Sequence, residues 1–396
     1  MESWHGETPF ERPTKLTAMP MLDIARELIR IPSVNPDYDA RSQGEGGVAA
    51  KLETWGREAG FEVWSQPVLE GRSNVVLRLH NKADRPHLML NGHMDTVGTE
   101  GMTIPPFQAD LVGGRLLGRG SADMKGAIAC MLAAACRLRD DLSAWKGTLS
   151  VGCVVDEECA FRGVKAMMGE VKDLDFAVVG EPTSLQVIRG CKGCLRFAFR
   201  AKGLAHHSSR PEQGRSAIVA MADAILQLED FFQGPLADYQ LPEFGCSTGS
   251  VGLIEGGEGI NVVAAGCRAR VDIRLIPGQD AGETYARLQD WVRTRATRVA
   301  DIEWIFDEPL LQDEAFQIPD DALLVRAACA IVGRENAGVV AYGCDAGKIA
   351  DKGVPCIIWG PGDIAQAHTK DESIAVEELH AATDCYERLA RALLPA

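Results

Sequence analysis

Between residues 20 and 180, short apolar runs alternate with amphipathic segments. The apolar runs have the length and composition of buried strands, and they lie at 73–79, 87–92, 147–155 and 175–180. The other segments carry apolar residues at helical spacing, at 20–31, 47–59, 124–142 and 161–171. This alternation predicts an α/β fold with a mainly parallel sheet that helices cover on both faces.

The pattern changes near residue 195. We predict, in order, a strand, a long helix, two antiparallel strands, a second long helix and a strand, at 195–203, 216–232, 247–257, 261–278, 283–299 and 302–308. This is the order of a split βαβ unit. Beyond residue 309 the first pattern returns, with a helix at 322–333 and a strand at 354–360. We therefore expect a discontinuous domain, 1–194 and 309–396, interrupted by an inserted α+β, ferredoxin-like domain, 195–308.

Composition narrows the class of protein. The chain has 396 residues, too many for one ordinary core, and its 46% hydrophobic content is typical of globular proteins. A net charge of −15 argues against nucleic acid and anionic membranes as partners. No apolar run approaches a membrane span, and the first residues lack a secretory signal. Twelve cysteines, many of them in apolar stretches, are then expected to be reduced thiols of a cytoplasmic protein.

Histidines and acids follow the predicted strands of the first pattern. They are His93 and Asp95 after 87–92, Asp156, Glu157 and Glu158 after 147–155, Glu181 after 175–180, and His368 after 354–360, with Asp123 just before the helix at 124–142. Open α/β sheets bind their ligands at the carboxyl ends of the strands. We therefore expect these side chains to converge at one edge of the sheet.

Such a set suits metal ions. Histidine with aspartate and glutamate, without cysteine, is a ligand set for Zn²⁺ or a similar divalent ion. Two imidazoles and at least three carboxylates exceed the needs of one tetrahedral ion, and they suit two bridged ions about 3.5–4 Å apart. Each residue alone has an ordinary alternative, such as a structural histidine, a solvated turn or a helix cap. Bound cations would also offset the repulsion among the consecutive acids 156–158.

Several motifs carry a family resemblance over nearly the whole chain, from IPSVNP (31–36) onward. They are NGHMDTV (91–97), GRGSADMKGA (118–127), VVDEEC (154–159), VGEPT (179–183), GLAHHSSRPEQG (203–214), NVV (261–263), DIR (272–274) and GPGDIAQAHTKDE (360–372). The chain resembles the dinuclear-zinc amidohydrolases and peptidases that include acetylornithine deacetylases, succinyl-diaminopimelate desuccinylases, aminoacylases and glutamate carboxypeptidases. The resemblance implies a zinc-peptidase catalytic domain and an inserted lid and dimerisation domain.

The same resemblance implies the metal ligands. His93 and Glu181 would hold one zinc ion, Glu158 and His368 the other, and Asp123 would bridge both. The expected cofactor is two Zn²⁺ ions, with Co²⁺ or Mn²⁺ as substitutes. The peptide bond after Asp123 is expected to be cis.

Further roles follow from the family pattern. Asp95 would orient His93 from behind, and Glu157 would be the general base. Asp156 is expected not to bind metal; its ordinary interpretation is a turn or cap residue. Cys344 lies in a segment that lines the substrate pocket in relatives.

In the inserted domain, the histidine four residues after Gly203 is His207. The resemblance gives it a part in stabilising the oxyanion, often from the neighbouring subunit of a dimer. Asn261 and Arg274 match positions that bind the substrate's α-carboxylate. Without the resemblance, a salt bridge on a strand surface would be the preferred interpretation of Arg274.

These observations predict a dizinc amidohydrolase that cleaves an N-acyl group from a small amino acid, with acetylornithine deacetylase as the nearest named activity. A dipeptidase, a glutamate carboxypeptidase and an N-succinyl or N-formyl amidohydrolase remain alternatives. A catalytically inactive binding relative is a further alternative, although Glu157 and all five ligands are present. A homodimer through the inserted domain is expected.

Overall fold

The structure is a computed structural model that describes residue 16 and residues 19–396. The helices of this part are α1 (Met21–Ile29), α2 (Gly46–Glu58), α3 (Lys125–Asp140), α4 (Arg162–Glu170), α5 (Ala217–Gln233), α6 (Ala281–Arg295), α7 (Leu323–Val332), α8 (Asp345–Ala350) and α9 (Val376–Leu393). The strands are β1 (Glu62–Leu69), β2 (Arg72–Asn81), β3 (His87–His93), β4 (Leu111–Val112), β5 (Arg115–Leu117), β6 (Gly147–Val154), β7 (Phe176–Val179), β8 (Ile188–Cys191), β9 (Gly193–Lys202), β10 (His206–His207), β11 (Gln240–Leu241), β12 (Gly245–Cys246), β13 (Thr248–Gly256), β14 (Val262–Val263), β15 (Gly266–Leu275), β16 (Glu303–Phe306), β17 (Leu311–Asp313), β18 (Phe316–Gln317), β19 (Gly338–Val340), β20 (Cys356–Ile358) and β21 (Ser373–Ala375).

The chain folds into two compact units. The first contains the described residues up to Arg189, together with Ile318–Ala337 and Cys344–Ala396. The second contains Gly190–Gln317 and Gly338–Gly343. The domain boundaries predicted from the sequence and the lid and dimerisation roles stay predictions.

The sheet of the first unit has the strand order β1-β2-β6-β3-β7-β20. The four strands from β6 to β20 run parallel, and β1 and β2 add an antiparallel edge. Every residue of β3 and β6 is buried, which explains why these strands are nearly continuous apolar runs in the sequence. The predicted α/β fold with its parallel sheet is confirmed.

Helix α3 is buried along most of its length against β3, β6, α1 and α9. Its many alanines leave room for close neighbours on several sides. Helix α9, which is not among the predicted elements, packs on α3 and reaches the end of β20, because the hydroxyl of Tyr386 donates to the carbonyl oxygen of Trp359 at 2.8 Å. Packing on several sides therefore holds helix α3, which begins shortly after Asp123.

The second unit contains an antiparallel sheet in the order β13-β15-β9-β16. Helices α5 and α6 pack against each other and against this sheet over a core that includes Phe197, Phe199 and Leu228. The chain order β9, α5, β13, β15, α6, β16 is the predicted split βαβ arrangement. Strand β13 forms one edge of the sheet.

All cysteines lie in the described part of the chain, and none forms a disulfide. Cys130 and Cys153 are fully buried, and burial raises the pKa of each thiol to about 12. They pack as small hydrophobic residues. Among the described helices, none combines the length and the apolar character that a membrane crossing requires.

Candidate metal centre

The parallel strands of the first unit deliver the predicted ligands to one edge of the sheet. His93 is the last residue of β3, and Glu181 follows β7. Glu157 and Glu158 follow β6, and the loop after β20 leads to His368. Because β6, β3, β7 and β20 are neighbours and parallel, their carboxyl ends lie side by side.

Asp123 lies between the two histidines. The Nε2 atom of His93 is 2.9 Å from Asp123 Oδ1, and the Nε2 atom of His368 is 3.4 Å from Asp123 Oδ2. Each histidine also faces a second carboxylate: Glu181 Oε1 lies 3.9 Å from His93 Nε2, and Glu158 Oε2 lies 3.1 Å from His368 Nε2. The structure thus brings all five predicted ligands together, in the two pairs that the resemblance implies.

Ligand atoms of this cluster are close enough to share ions. His93, Asp123 and Glu158 offer atoms within 4.8 Å of one another, and so do His93, Glu157 and Glu181. The peptide bond from Asp123 to Met124 is cis, as the resemblance implies. His93 is 1% exposed, whereas the side chain of His368 is 55% exposed, so the cluster opens to solvent on the His368 side.

The cluster holds more negative charge than its two imidazoles balance. Burial raises the pKa of Glu158, and burial with the nearby charge of Asp123 raises that of Glu181 well above its usual range. Hydrogen bonds to Asp123 and Glu158 raise the pKa of His368 to about 10. Burial alone would lower the pKa of His93, but hydrogen bonds to carboxylates, that to Asp123 first, raise it well above 6.5.

Two buried carboxylate oxygens indicate whether the site suits cations. Oε1 of Glu158 and Oε1 of Glu181 are buried and have no hydrogen-bond partner among the described residues. Buried carboxylate oxygens without a partner are costly, and a divalent cation satisfies them. The donors are imidazole nitrogens and carboxylate oxygens, which suit Zn²⁺ and related ions. The residues present therefore fit a divalent metal centre.

Asp95 connects two parts of this centre. The Nδ1 atom of His93 lies 3.0 Å from the backbone oxygen of Asp95, which can only accept, so Nδ1 donates and Nε2 faces the cluster. The carboxylate of Asp95 also accepts the backbone N–H groups of Glu157 at 3.1 Å and Glu158 at 3.2 Å. Sequence reasoning predicted the contact with His93 and missed the contacts with the two glutamates.

Comparison with known families assigns the chain. Residues 89–392 match the model of the peptidase family M20/M25/M40, which is more than half of the sequence. The chain belongs to the peptidase family M20/M25/M40. It is therefore an M20-type hydrolase of amide bonds, and the family resemblance predicted from the motifs is confirmed.

Solved structures share the fold. A tripeptidase from Staphylococcus aureus is 22% identical with a TM-score of 0.77, and the match covers 96% of this chain and 100% of that chain. Aminopeptidase PepT from Bacillus cereus is 21% identical with a TM-score of 0.76, covering 94% and 98%. A dinuclear metal-binding M20 peptidase from Bacillus subtilis is 16% identical with a TM-score of 0.71, covering 94% and 97%. At these identities the likeness establishes the fold.

Two acids near the M20 centre were not predicted. The carboxylate of Glu372 accepts the backbone N–H groups of Asp123 at 3.1 Å and Ala122 at 2.9 Å, and it pairs with Arg119 at 2.7 Å. Glu372 therefore fixes the loop that carries Asp123. Glu372 belongs to the motif that contains His368, so its signal was present but unused.

The second of these acids is Asp345, at the start of α8. It is buried and accepts a hydrogen bond from Asn91 Nδ2 at 2.9 Å. Burial raises its pKa to about 6. Asp345 lies in the segment that lines the substrate pocket in relatives, so the resemblance pointed to the segment but gave Asp345 no role of its own.

The remaining predicted site residues are placed as follows. His207, in β10, and Asn261 are exposed, and the carbonyl oxygen of Asn261 accepts the backbone N–H of Ser208 at 3.0 Å, so the two residues lie on adjacent segments of the second unit. Arg274, in β15, donates from Nε to Asp272 at 2.8 Å, which is the salt-bridge interpretation. Cys344, in the first unit, is 3% exposed and immediately precedes α8.

We expect chelator-treated protein to bind two divalent ions per chain and to release protons as it does so. His368, with a pKa of about 10, and His93, whose pKa is also raised, carry protons at neutral pH in the absence of metal, and a metal ion must displace them. The apparent affinity for Zn²⁺ or Co²⁺ should therefore fall between pH 8 and pH 6, by about tenfold per pH unit for each proton released. Calorimetric titration in buffers of different ionisation enthalpy measures the number of protons released per metal ion bound. His368→Gln should reduce the number of protons released, and the distant control His80→Gln should leave it unchanged. A metal affinity that does not depend on pH would contradict the expectation.

Proposed function

We propose that this M20 hydrolase removes an N-acyl group from a small amino acid, with acetylornithine deacetylase as the nearest named activity. The observation that carries the proposal is the cluster of His93, Asp123, Glu158, Glu181 and His368 with the buried carboxyl of Glu157 beside it. A metal centre with an adjacent general base is the arrangement that hydrolases use to activate water for attack on an amide.

In this proposal the five ligands hold two Zn²⁺ ions, with Co²⁺ or Mn²⁺ as substitutes. Ions held there would act as Lewis acids on the amide carbonyl and would lower the pKa of the attacking water. The buried, unpartnered oxygens of Glu158 and Glu181 support this assignment.

Glu157 moves the proton. Its side-chain carboxylate accepts a proton from the attacking water and delivers it to the nitrogen of the leaving amine. Burial, reinforced by the charge of Glu181, raises the pKa of Glu157 well above 4.5, which makes its carboxylate a stronger base. The hydrogen bond from its backbone N–H to Asp95 fixes where that carboxylate lies.

Residues of the second unit would bind the rest of the substrate. His207 would stabilise the negative charge that develops on the carbonyl oxygen, in the same chain or from a partner subunit. Asn261 and Arg274 would bind the α-carboxylate, since a guanidinium has five donors and Asp272 does not use all of them. Cys344, which belongs to the first unit, would line the pocket for the amino-acid side chain. The exposure of His207 and Asn261 supports these assignments.

Hydrolysis of short peptides is the second candidate. Its support is the family itself, together with similar structures named as a tripeptidase and an aminopeptidase. A dipeptidase, a glutamate carboxypeptidase and an amidohydrolase for N-succinyl or N-formyl groups would use the same centre. A catalytically inactive binding relative is disfavoured because no ligand is missing and Glu157 is present.

We also propose a cytoplasmic location and a small molecule as the partner. Cysteines that form no disulfide suit a reducing compartment. The net charge of −15 disfavours nucleic acid and anionic membranes.

A homodimer through the second unit completes the proposal. Edge strand β13 exposes Leu253 and Ile254, each more than half exposed, and the neighbouring α5 exposes Leu226. An exposed apolar edge strand is a template for pairing with another chain.

A substrate panel tests the activity. Protein loaded with Zn²⁺ or Co²⁺ should release amine fastest from N-acetyl amino acids, N-acetylornithine among them. N-succinyl and N-formyl amino acids, dipeptides and tripeptides should react more slowly. Converting the α-carboxylate of the best substrate to an amide should lower kcat/KM by about tenfold or more, because Arg274 then loses a charged partner. Faster turnover of peptides would replace the leading candidate, and no turnover of any member would exclude hydrolysis of these amides.

Glu157→Ala should lower kcat by about 10²–10⁴-fold, because the proton loses its acceptor. Metal content should stay at the wild-type level, since the five ligands remain. Steady-state kinetics together with metal analysis measure both. Glu335→Gln, at an exposed glutamate, is the matched control. A Glu157→Ala enzyme with the wild-type rate would overturn the base assignment.

Ile254→Asp should shift the protein from dimer to monomer at micromolar concentration, because it places charge in the proposed interface. Sedimentation velocity measures the change. Leu310→Asp is the control, since Leu310 is 65% exposed in the same unit but lies outside β13 and α5. A wild-type protein that sediments only as a monomer would exclude the proposed dimer.

A further inference from the structure

The turn that carries Glu157 and Glu158 begins at Asp156. Its φ angle is +66°, in the left-handed region that aspartate tolerates better than most residues. The residue is fully buried. The direction in which the two glutamates leave β6 therefore depends on how this one buried acid is held.

Arg72 and Glu45 hold Asp156 from one side. The guanidinium of Arg72 donates to both carboxylate oxygens of Glu45, at 2.5 and 2.7 Å, and its Nη2 also donates to Asp156 Oδ1 at 3.3 Å. Glu45 Oε1 in turn accepts the backbone N–H of Asp156 at 3.0 Å. Both the backbone and the side chain of Asp156 are thus tied to one buried ion pair.

Asn35 holds Asp156 from the other side. Its Nδ2 group donates to Asp156 Oδ1 at 3.0 Å and to Asp95 Oδ2 at 2.8 Å. The backbone N–H of Asn35 donates to the carbonyl oxygen of Thr96 at 2.9 Å, which anchors the residue beside Asp95. One amide therefore joins the acid behind His93 to the acid that starts the turn.

These contacts close a chain of constraints around the two glutamates. Asp95 accepts the backbone N–H groups of both Glu157 and Glu158. Asp95, Asp156 and Glu45 are buried carboxylates that would repel one another without donors between them. Arg72 lies between Glu45 and Asp156, and Asn35 lies between Asp95 and Asp156. Arg162 adds two contacts to Asp156, at 2.5 and 2.8 Å, but none to Asp95 or Glu45 within the described part of the chain, so Arg72 and Asn35 are the donors that join these acids to one another. Neither Arg72 nor Asn35 belongs to the proposed ligand set.

We propose that Asn35 and Arg72 are positioning residues. They hold Asp95 and Asp156 at fixed positions relative to each other, and these two acids set the direction of Glu157 and Glu158. The inference rests on the proposed function for its kinetic consequences only. The geometry of bound metal offers a second, independent readout.

Three variants test the inference: Asn35→Ala, Asn35→Asp and Arg72→Met. Outer partners of metal ligands typically contribute 10- to 100-fold to activity or metal affinity. We expect each variant to lower kcat by about that factor with KM within about threefold of wild type. The visible absorption band of the Co²⁺-loaded protein should shift in each, because Glu158 is misplaced.

The two substitutions of Asn35 separate positioning from packing. Asn35→Asp keeps the shape of the side chain but removes the donor and adds a carboxylate facing Asp95 and Asp156. It should therefore be at least as damaging as Asn35→Ala. If Asn35→Asp instead retains more activity and a more wild-type Co²⁺ band than Asn35→Ala, shape rather than hydrogen bonding matters and the proposal is overturned.

Buried side chains remote from the centre provide matched controls. Asn81→Ala removes an amide that donates to the backbone oxygens of Leu142 and Trp145, and Arg139→Met removes a buried arginine that donates to the backbone oxygen of Ala59. Both should lower thermal stability while leaving kcat and the Co²⁺ band unchanged. If the controls and the test variants change these readouts alike, the proposal is overturned.

The Co²⁺ absorption band and the catalytic rate are measured separately, so that loss of folding, loss of positioning and loss of the proposed activity can be distinguished. Should Arg72→Met not fold, Arg72→Lys keeps the charge but loses the two-pronged contact, and a wild-type Co²⁺ band in it would overturn the role of Arg72. A wild-type protein that binds Co²⁺ normally but cleaves no amide would refute the proposed function. The Co²⁺ bands of the variants would still decide the positioning inference.

Discussion

Buried negative charge at one edge of a sheet is the constraint on which the catalytic unit depends. Asp95, Asp123, Glu157 and Glu181 are all buried there, and the imidazoles of His93 and His368 face Asp123. A buried ion without a partner is destabilising by several kcal/mol, roughly, even after the protein relaxes. Carboxylates with a structural role are each paired with arginine, amide or backbone N–H donors. The Oε1 atoms of Glu158 and Glu181, at the position that suits a cation, have no hydrogen-bond partner among the described residues.

The division of labour among the acids follows from their partners. Asp156 is neutralised by Arg72 and Arg162, so it acts as the start of a turn and takes no direct part in the centre. Glu372 is saturated by Arg119 and backbone N–H groups, so it fixes a loop. Asp123, Glu158 and Glu181 face the histidines on the side of the cluster, and none of them pairs with an arginine within the described part of the chain. Chemically similar side chains thus acquire structural or metal-binding character from what surrounds them.

How far the sequence predicts this site depends on the distance between partners along the chain. His93 and Glu181 were found because each follows a buried strand, and strand ends in a parallel sheet converge. The contact of Glu45 with the backbone of Asp156 spans 111 residues, and that of Asn35 with its side chain spans 121. Residues so far apart in the chain form no local sequence pattern from which such a contact could be predicted. Strand β1 and helix α9 were also not predicted, although α9 carries apolar residues at helical spacing.

The sequence by itself determined the kinds of element, the split βαβ order of the second unit and the residue types available for metal binding. These are encoded locally, because the apolar period selects helix or strand within a few residues. The tertiary structure alone decided which donors meet which acids: Asn35 with Asp95 and Asp156, and Arg72 with Glu45. The physical reason is that such pairs form only when α2, β2 and β6 have packed together, and packing sets the distances over which hydrogen bonds act.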